Sequence, residues 1–232
     1  MAKDKIYEIG QAYIRLDIKA DSEFKEAYEQ FLLYKGKLYA KEFYKKDLIV
    51  DGLYFAVELE DGTLKSRLKI FGKITITSLI AYGGIRTGID YVIKDSQVIT
   101  EHIARDVANE QSIGADRIGR VERRLGVPGK IKRLYNHIDK LSTNRNNLTE
   151  NEQEEIIHRI QRNFEELIYE LDPTEVKIIL QELIQNQIPL HARRQDEDFF
   201  LPRHDAIREK DIRLISEDEI REPRQLPPPR QE

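Results

Sequence analysis

Residues 117–140 hold the densest run of side chains able to engage an anion. Arg117, Arg120, Arg123, Arg124, Lys130, Lys132, Arg133 and Lys140 stand there against two acids, Glu122 and Asp139. Eight cations less two acids make this stretch +6; with a net charge of -4 for the chain, the remainder carries -10. Guanidinium and ammonium groups neutralise phosphates, and Asn136 has the paired donor and acceptor that read a base edge. The spacing predicts two helices joined by Gly126-Val127-Pro128-Gly129, the outline of a helix-turn-helix. In that outline the helix from Lys130 presents Lys132, Arg133, Asn136, His137 and Lys140 outward. The competing reading is a solvated basic face that packs on the acidic helices or the tail.

A second arrangement with binding chemistry is Gly83, Gly84, Arg86, Thr87 and Gly88, between a strand pattern and a helix pattern. Backbone amides at a helix start, glycines that allow close approach, and Arg86 together suit a phosphate or carboxylate. The stretch lacks the lysine and the following Ser or Thr of a P-loop, and its spacing is not the dinucleotide fingerprint. The competing reading is a sharp turn, with Arg86 paired to Asp90 one helical turn on.

Catalytic and metal chemistry has little to stand on. His102, His137, His158, His191 and His204 are scattered, without the short spacing of a metal pair. Carboxylates such as Glu152, Glu154, Glu155, Glu165 and Glu166 fall in runs typical of wet helix faces. No serine sits in a nucleophile-elbow context. The chain has no cysteine, which excludes disulfides, thiolate zinc sites and cysteine nucleophiles. No cofactor is expected. In the tail, Phe199, Phe200 and Leu201 form an apolar island that suits a partner-binding anchor, and Pro227-Pro228-Pro229 favours polyproline II.

The elements that must position these residues change character along the chain. Residues 6–19 read as a strand, with Ile14, Leu16 and Ile18 alternating with polar neighbours. Asp21 or Ser22 caps a helix carrying Phe24, Tyr28, Phe31 and Leu32, which Gly36 is expected to end. Residues 53–80 read as a hairpin about Asp61-Gly62, its long return strand setting Leu64, Leu68 and Ile70 on one face and Lys65, Arg67 and Lys69 on the other. A helix carrying Ile89, Val92, Ile93, Ile103 and Val107 follows, with Thr87 and Asp90 at capping-box spacing. Another is predicted from Ser112, with Ile118, Val121 and Leu125 inward, and the next carries Ile131, Leu134, Tyr135, Ile138 and Leu141. Thr149 with Glu152, and Asp172-Pro173 with Glu175, open two last helices, which are expected to pair. The strand–helix–hairpin–helix order resembles the start of a ferredoxin-like split βαβ arrangement, a topology that hosts many functions.

The expected class is therefore α+β: an antiparallel sheet with the helices from Phe24 and Ile89 on one face, over residues 1–110. A helical region of two helix pairs at 111–191 and a disordered charged tail at 192–232 complete the layout. At 232 residues, 40% hydrophobic and 34% charged, the chain has material for a real core and a solvated surplus. No membrane span is expected, and a cytoplasmic setting fits the lack of cysteine. These features predict a non-enzymatic adaptor or regulatory protein whose partner is another protein. A nucleic-acid-binding regulator using 117–140, and an anion or nucleotide sensor at 83–90, are the alternatives.

Overall fold

The computed structural model describes residues 6–44, 51–60, 63–73, 84–189, 213–223 and 225–229. Among them, β1 (Tyr7–Leu16), β2 (Asp51–Glu60), β3 (Leu64–Lys73), β4 (Ile118–Arg124) and β5 (Ile215–Ser216) form one antiparallel sheet, ordered β4-β1-β3-β2-β5. The helices are α1 (Ser22–Phe43), α2 (Ile85–Asn109), α3 (Val127–Asn144), α4 (Glu150–Glu170) and α5 (Pro173–Gln185). The order β1-α1-β2-β3-α2-β4, with β1 and β3 central, is the split βαβ arrangement, and the class is α+β.

Period-2 patterning divides the sheet into two faces. In β3, Leu64, Ser66, Leu68 and Ile70 are buried and alternate with half-buried Lys65, Arg67, Lys69 and Phe71. Leu68 lies opposite Ala12 of β1 and Val57 of β2, so one apolar face runs across the centre. α1 covers β2 and β3, and α2 covers β1 and β4, both on this face. Phe24, Tyr28, Leu32, Ile89, Val92 and Ile103 fill the space between.

Several local expectations are corrected. Gly36 does not end α1, which runs on to Phe43; a Cβ there would stand 2.7 Å from Leu68 Cδ2. The missing side chain lets the helix lie close on the sheet. α2 has no capping box: Gly84 is its N-cap at φ 116 with no side-chain cap bond. The predicted helix from Ser112 is instead a short 3-10 turn (Ala115–Arg117) followed by β4. Tertiary pairing decides this, because the outer edge of β1 needs partners for its backbone groups. Gly119 suits the strand as well, since a Cβ would lie 2.5 Å from Asp17 Oδ2. Gly126-Val127-Pro128 consequently opens α3 rather than closing a helix, with Pro128 in the first turn. The sheet thus takes a strand from the 111–191 stretch.

Both capping boxes at Thr149 and Asp172 are present. α4 lies mainly on α3 and only lightly on α5, although the sequence pairs α4 with α5. The Asp61-Gly62 turn and residues 74–80 lie outside the described residues. The predicted loose tail has a bound portion: β5 pairs with the β2 edge, and Ile220, Leu226 and Pro229 are buried. Glu217 N donates to Leu53 O at 3.1 Å, Lys37 Nζ to Ile220 O at 2.7 Å, and Lys41 pairs with Glu217 at 3.3 Å.

Candidate functional site

The sheet face opposite α1 and α2 gathers the charged side chains that alternate with the core. Strand register sets them in rows. Arg120 of β4, Arg15 of β1, Lys65 of β3 and Glu60 of β2 lie side by side; the next row is Glu122, Tyr13, Arg67 and Glu58. The third is Arg124, Gln11, Lys69 and Ala56, and beyond it Glu8, Phe71, Tyr54 and Ser216 line up. Arg120 and Arg124 are more than half exposed, and Arg15 and Lys65 about 40%. No helix among the described residues lies extensively over this face.

Its charges are unevenly matched. Glu122 serves both Arg120 and Arg124, the latter at 3.6 Å. Glu60 serves Arg67 and, at 3.4 Å, Lys65; Glu58 serves Lys69 at 2.6 Å and Arg67 at 3.6 Å. Arg15 pairs with Asp17 at 3.2 Å. Among the described residues, six cations therefore share four carboxylates. The Arg67 hydrogen bond, with Lys65 assisting, holds Glu60 below the usual carboxylate range. Glu8 lies at the end of the face near Lys130 and Glu170; burial raises its pKa, and Lys69 and Lys130 only partly counter this.

Tyr13 anchors the centre, its side chain buried beneath two guanidiniums. The Arg67 guanidinium lies 5.8 Å from its ring centroid and that of Arg124 5.7 Å, both within cation–π range. Two residues away on the same face, Gln11 is buried and its Nε2 has no hydrogen-bond partner among the described residues.

The basic residues singled out at 117–140 do not form one helical surface. Arg120 and Arg124 join the sheet face, while Arg123 points to the helix side and donates to Gln97 at 2.8 Å. Arg117 accepts the Asp17 N–H through its carbonyl at 2.8 Å. On α3, Lys130 pairs with Glu170 and Lys132 with Asp90 at 2.6 Å. Arg133, Asn136 and Lys140 are exposed, and burial together with Arg159, Lys140 and Arg133 holds His137 below its usual pKa. The helix-turn-helix outline is lost because its first helix is a strand.

At the second arrangement, Gly83 lies outside the described residues, Thr87 is exposed and Gly88 is buried. Arg86 does not pair with Asp90. It reaches Asp139 at 2.5 Å and Glu182 at 3.4 Å and lies 5.1 Å over the Tyr135 ring, whose hydroxyl donates to Glu182 at 2.5 Å. That guanidinium is engaged in joining α2, α3 and α5. Phe199, Phe200 and Leu201 lie outside the described residues. Among the described residues, no group of three His, Asp or Glu is arranged to hold a metal ion, and no helix is long and apolar enough to cross a membrane.

Sequence spacing missed Tyr13, Arg15, Lys65, Arg67 and Lys69 as site residues. The available signal was the recurrence of cations at every second position of 65–69, opposite the apolar positions. No family model, curated protein or solved structure matches the chain.

Proposed function

We propose that the chain is a non-enzymatic cytoplasmic adaptor or regulatory protein that acts through contacts with another protein. One observation supports this reading: the β2 edge takes residues Ile215–Ser216 of the same chain as an added strand. An exposed strand edge offers unpaired amides and carbonyls, and extended peptides bind such edges by completing the ladder. Only two residues pair here, so the cover is short. A partner supplying a longer extended segment would replace it and gain further ladder bonds.

A chain ending at residue 212 tests this. A labelled peptide of residues 213–229 is expected to bind the shortened chain and to bind the full chain far more weakly. Proteins captured by the shortened chain are expected to be displaced by the same peptide. Identical capture by both chains, with no displacement, refutes the reading. Cell fractionation checks the cytoplasmic setting.

The arrangement at 84–88 offers less to an anion, because Arg86 already meets two carboxylates. The nucleic-acid reading moves from a helix pair to the sheet face.

A further inference from the structure

We propose that the open face of the sheet binds single-stranded nucleic acid. Phosphates lie along the Arg120–Arg15–Lys65 row, and bases stack against the Arg67–Tyr13–Arg124 group. This surface is separate from the β2 edge, and the inference stands whether or not that edge takes a partner.

The row is the first argument. Like charges directly opposite one another destabilise a sheet, and opposite charges stabilise it. The adjacent row does alternate, with Glu122 and Glu58 flanking Tyr13 and Arg67. Arg120, Arg15 and Lys65 instead stand abreast on three neighbouring strands. Arg120 shares Glu122 with Arg124 and Lys65 shares Glu60 with Arg67, while Arg15 has Asp17, so an incoming phosphate meets donors with capacity to spare. Counting Glu8 as well, six cations face five acids among the described residues, on a chain whose net charge is -4. The face is cationic against an acidic whole.

Tyr13 and its two guanidiniums are the second argument. A planar cation over an aromatic ring presents its other side as a stacking surface, and every base has a π-face to meet it. Half-buried Phe71 and Tyr54, paired across β3 and β2, extend the aromatic surface toward the far end. An acidic peptide would use the cations and leave idle the stacked guanidinium faces and the half-buried Phe71 and Tyr54 rings. A duplex would keep its bases stacked on each other, and no helix among the described residues projects from this face to enter a groove.

Gln11 Nε2 is the third. It is buried, without a partner among the described residues, between Arg124 and Lys69 and beside Tyr13. A base stacked on the Arg67–Tyr13–Arg124 group brings an acceptor to that amide donor.

The test uses the full chain and fluorescent oligodeoxythymidine and oligouridine strands of about 12 nucleotides. Anisotropy is followed from about 50 mM salt upward. Binding is expected, with a log–log salt slope of about -2 for three phosphate contacts on a single strand. Arg15→Glu with Arg120→Glu is expected to weaken binding about 10-fold or more and to flatten the slope. Tyr13→Leu is expected to weaken it with the slope kept, since it removes stacking and no charge. Arg159→Glu on α4 is expected to bind like the wild type. Melting curves confirm that each variant folds; if the double reversal does not, Arg120→Ala on the exposed edge takes its place. The proposal is overturned by any of four results: no wild-type binding at low salt, a duplex of equal length bound as tightly, poly-glutamate bound more tightly, or loss of binding on Arg133→Glu with Lys140→Glu while the sheet variants bind normally.

Discussion

Glu8 shows how a single position can work against the fold. Its carboxyl sits where β1 meets the start of α3, and burial raises its pKa above the ordinary value; Lys69 and Lys130 oppose the shift while Glu58 and Glu170 add to it. A raised folded-state pKa means that the folded chain holds this proton more tightly than the unfolded chain. The stability it contributes is complete below the ordinary glutamate pKa and is lost as pH rises through the folded value. Glu8→Gln cannot ionise and escapes that loss. Its melting temperature should exceed the wild type's at neutral pH, with the gap closing toward pH 4. Calorimetry across that range decides it, and an unchanged gap would show that burial of the charge is not the cause.

At the scale of elements, the junction of β4 with α3 carries the sheet into the helical region. Gly126 is the N-cap of α3, and a Cβ there would fall 2.0 Å from the Glu8 carbonyl oxygen. Backbone must shift to admit it, so Gly126→Ala should cost about 1–3 kcal/mol in urea unfolding. The same junction marks how far the sequence can be read. Helical stripes such as Ile131, Leu134, Ile138 and Leu141 are legible because burial follows the 3.6 period. The capping boxes at Thr149 and Asp172 are legible because they are local hydrogen-bond patterns. Residues 118–124 are not, because their strand state comes from pairing with β1, about a hundred positions earlier in the chain. Gly36 misleads for a related reason: its absent side chain answers Leu68 across the core, and no nearby residue records that. The cationic face is half legible, its β3 cations evident in the alternation and its β4 cations hidden until the strand is in register.

Across the whole molecule, one buried hydrogen bond ties the sheet to the last helices. Tyr7 on β1 donates to Glu175 of α5 at 2.5 Å, and Asp172 N donates back to the Tyr7 hydroxyl at 3.1 Å. Burial first, and then the neighbouring Glu175 carboxylate, push the phenol's pKa far up, so it stays a neutral donor at any physiological pH. Tyr7→Phe leaves Glu175 one partner short at a site 7% exposed, and should lower the unfolding free energy by about 1–3 kcal/mol. Hydrogen exchange should show the loss concentrated in α5, and a uniform loss would mean the bond is no tie between the two parts.

The late position of β5 in the chain has a consequence for biosynthesis. The ribosome completes β2 more than 150 residues before it reaches Ile215. Through that interval the nascent sheet carries a bare hydrogen-bonding margin beside Leu53 and Phe55, the kind of template on which neighbouring chains aggregate. Stalled or prematurely terminated copies keep that margin for good, so chaperones and proteolytic quality control would meet them as the sticky members of the population.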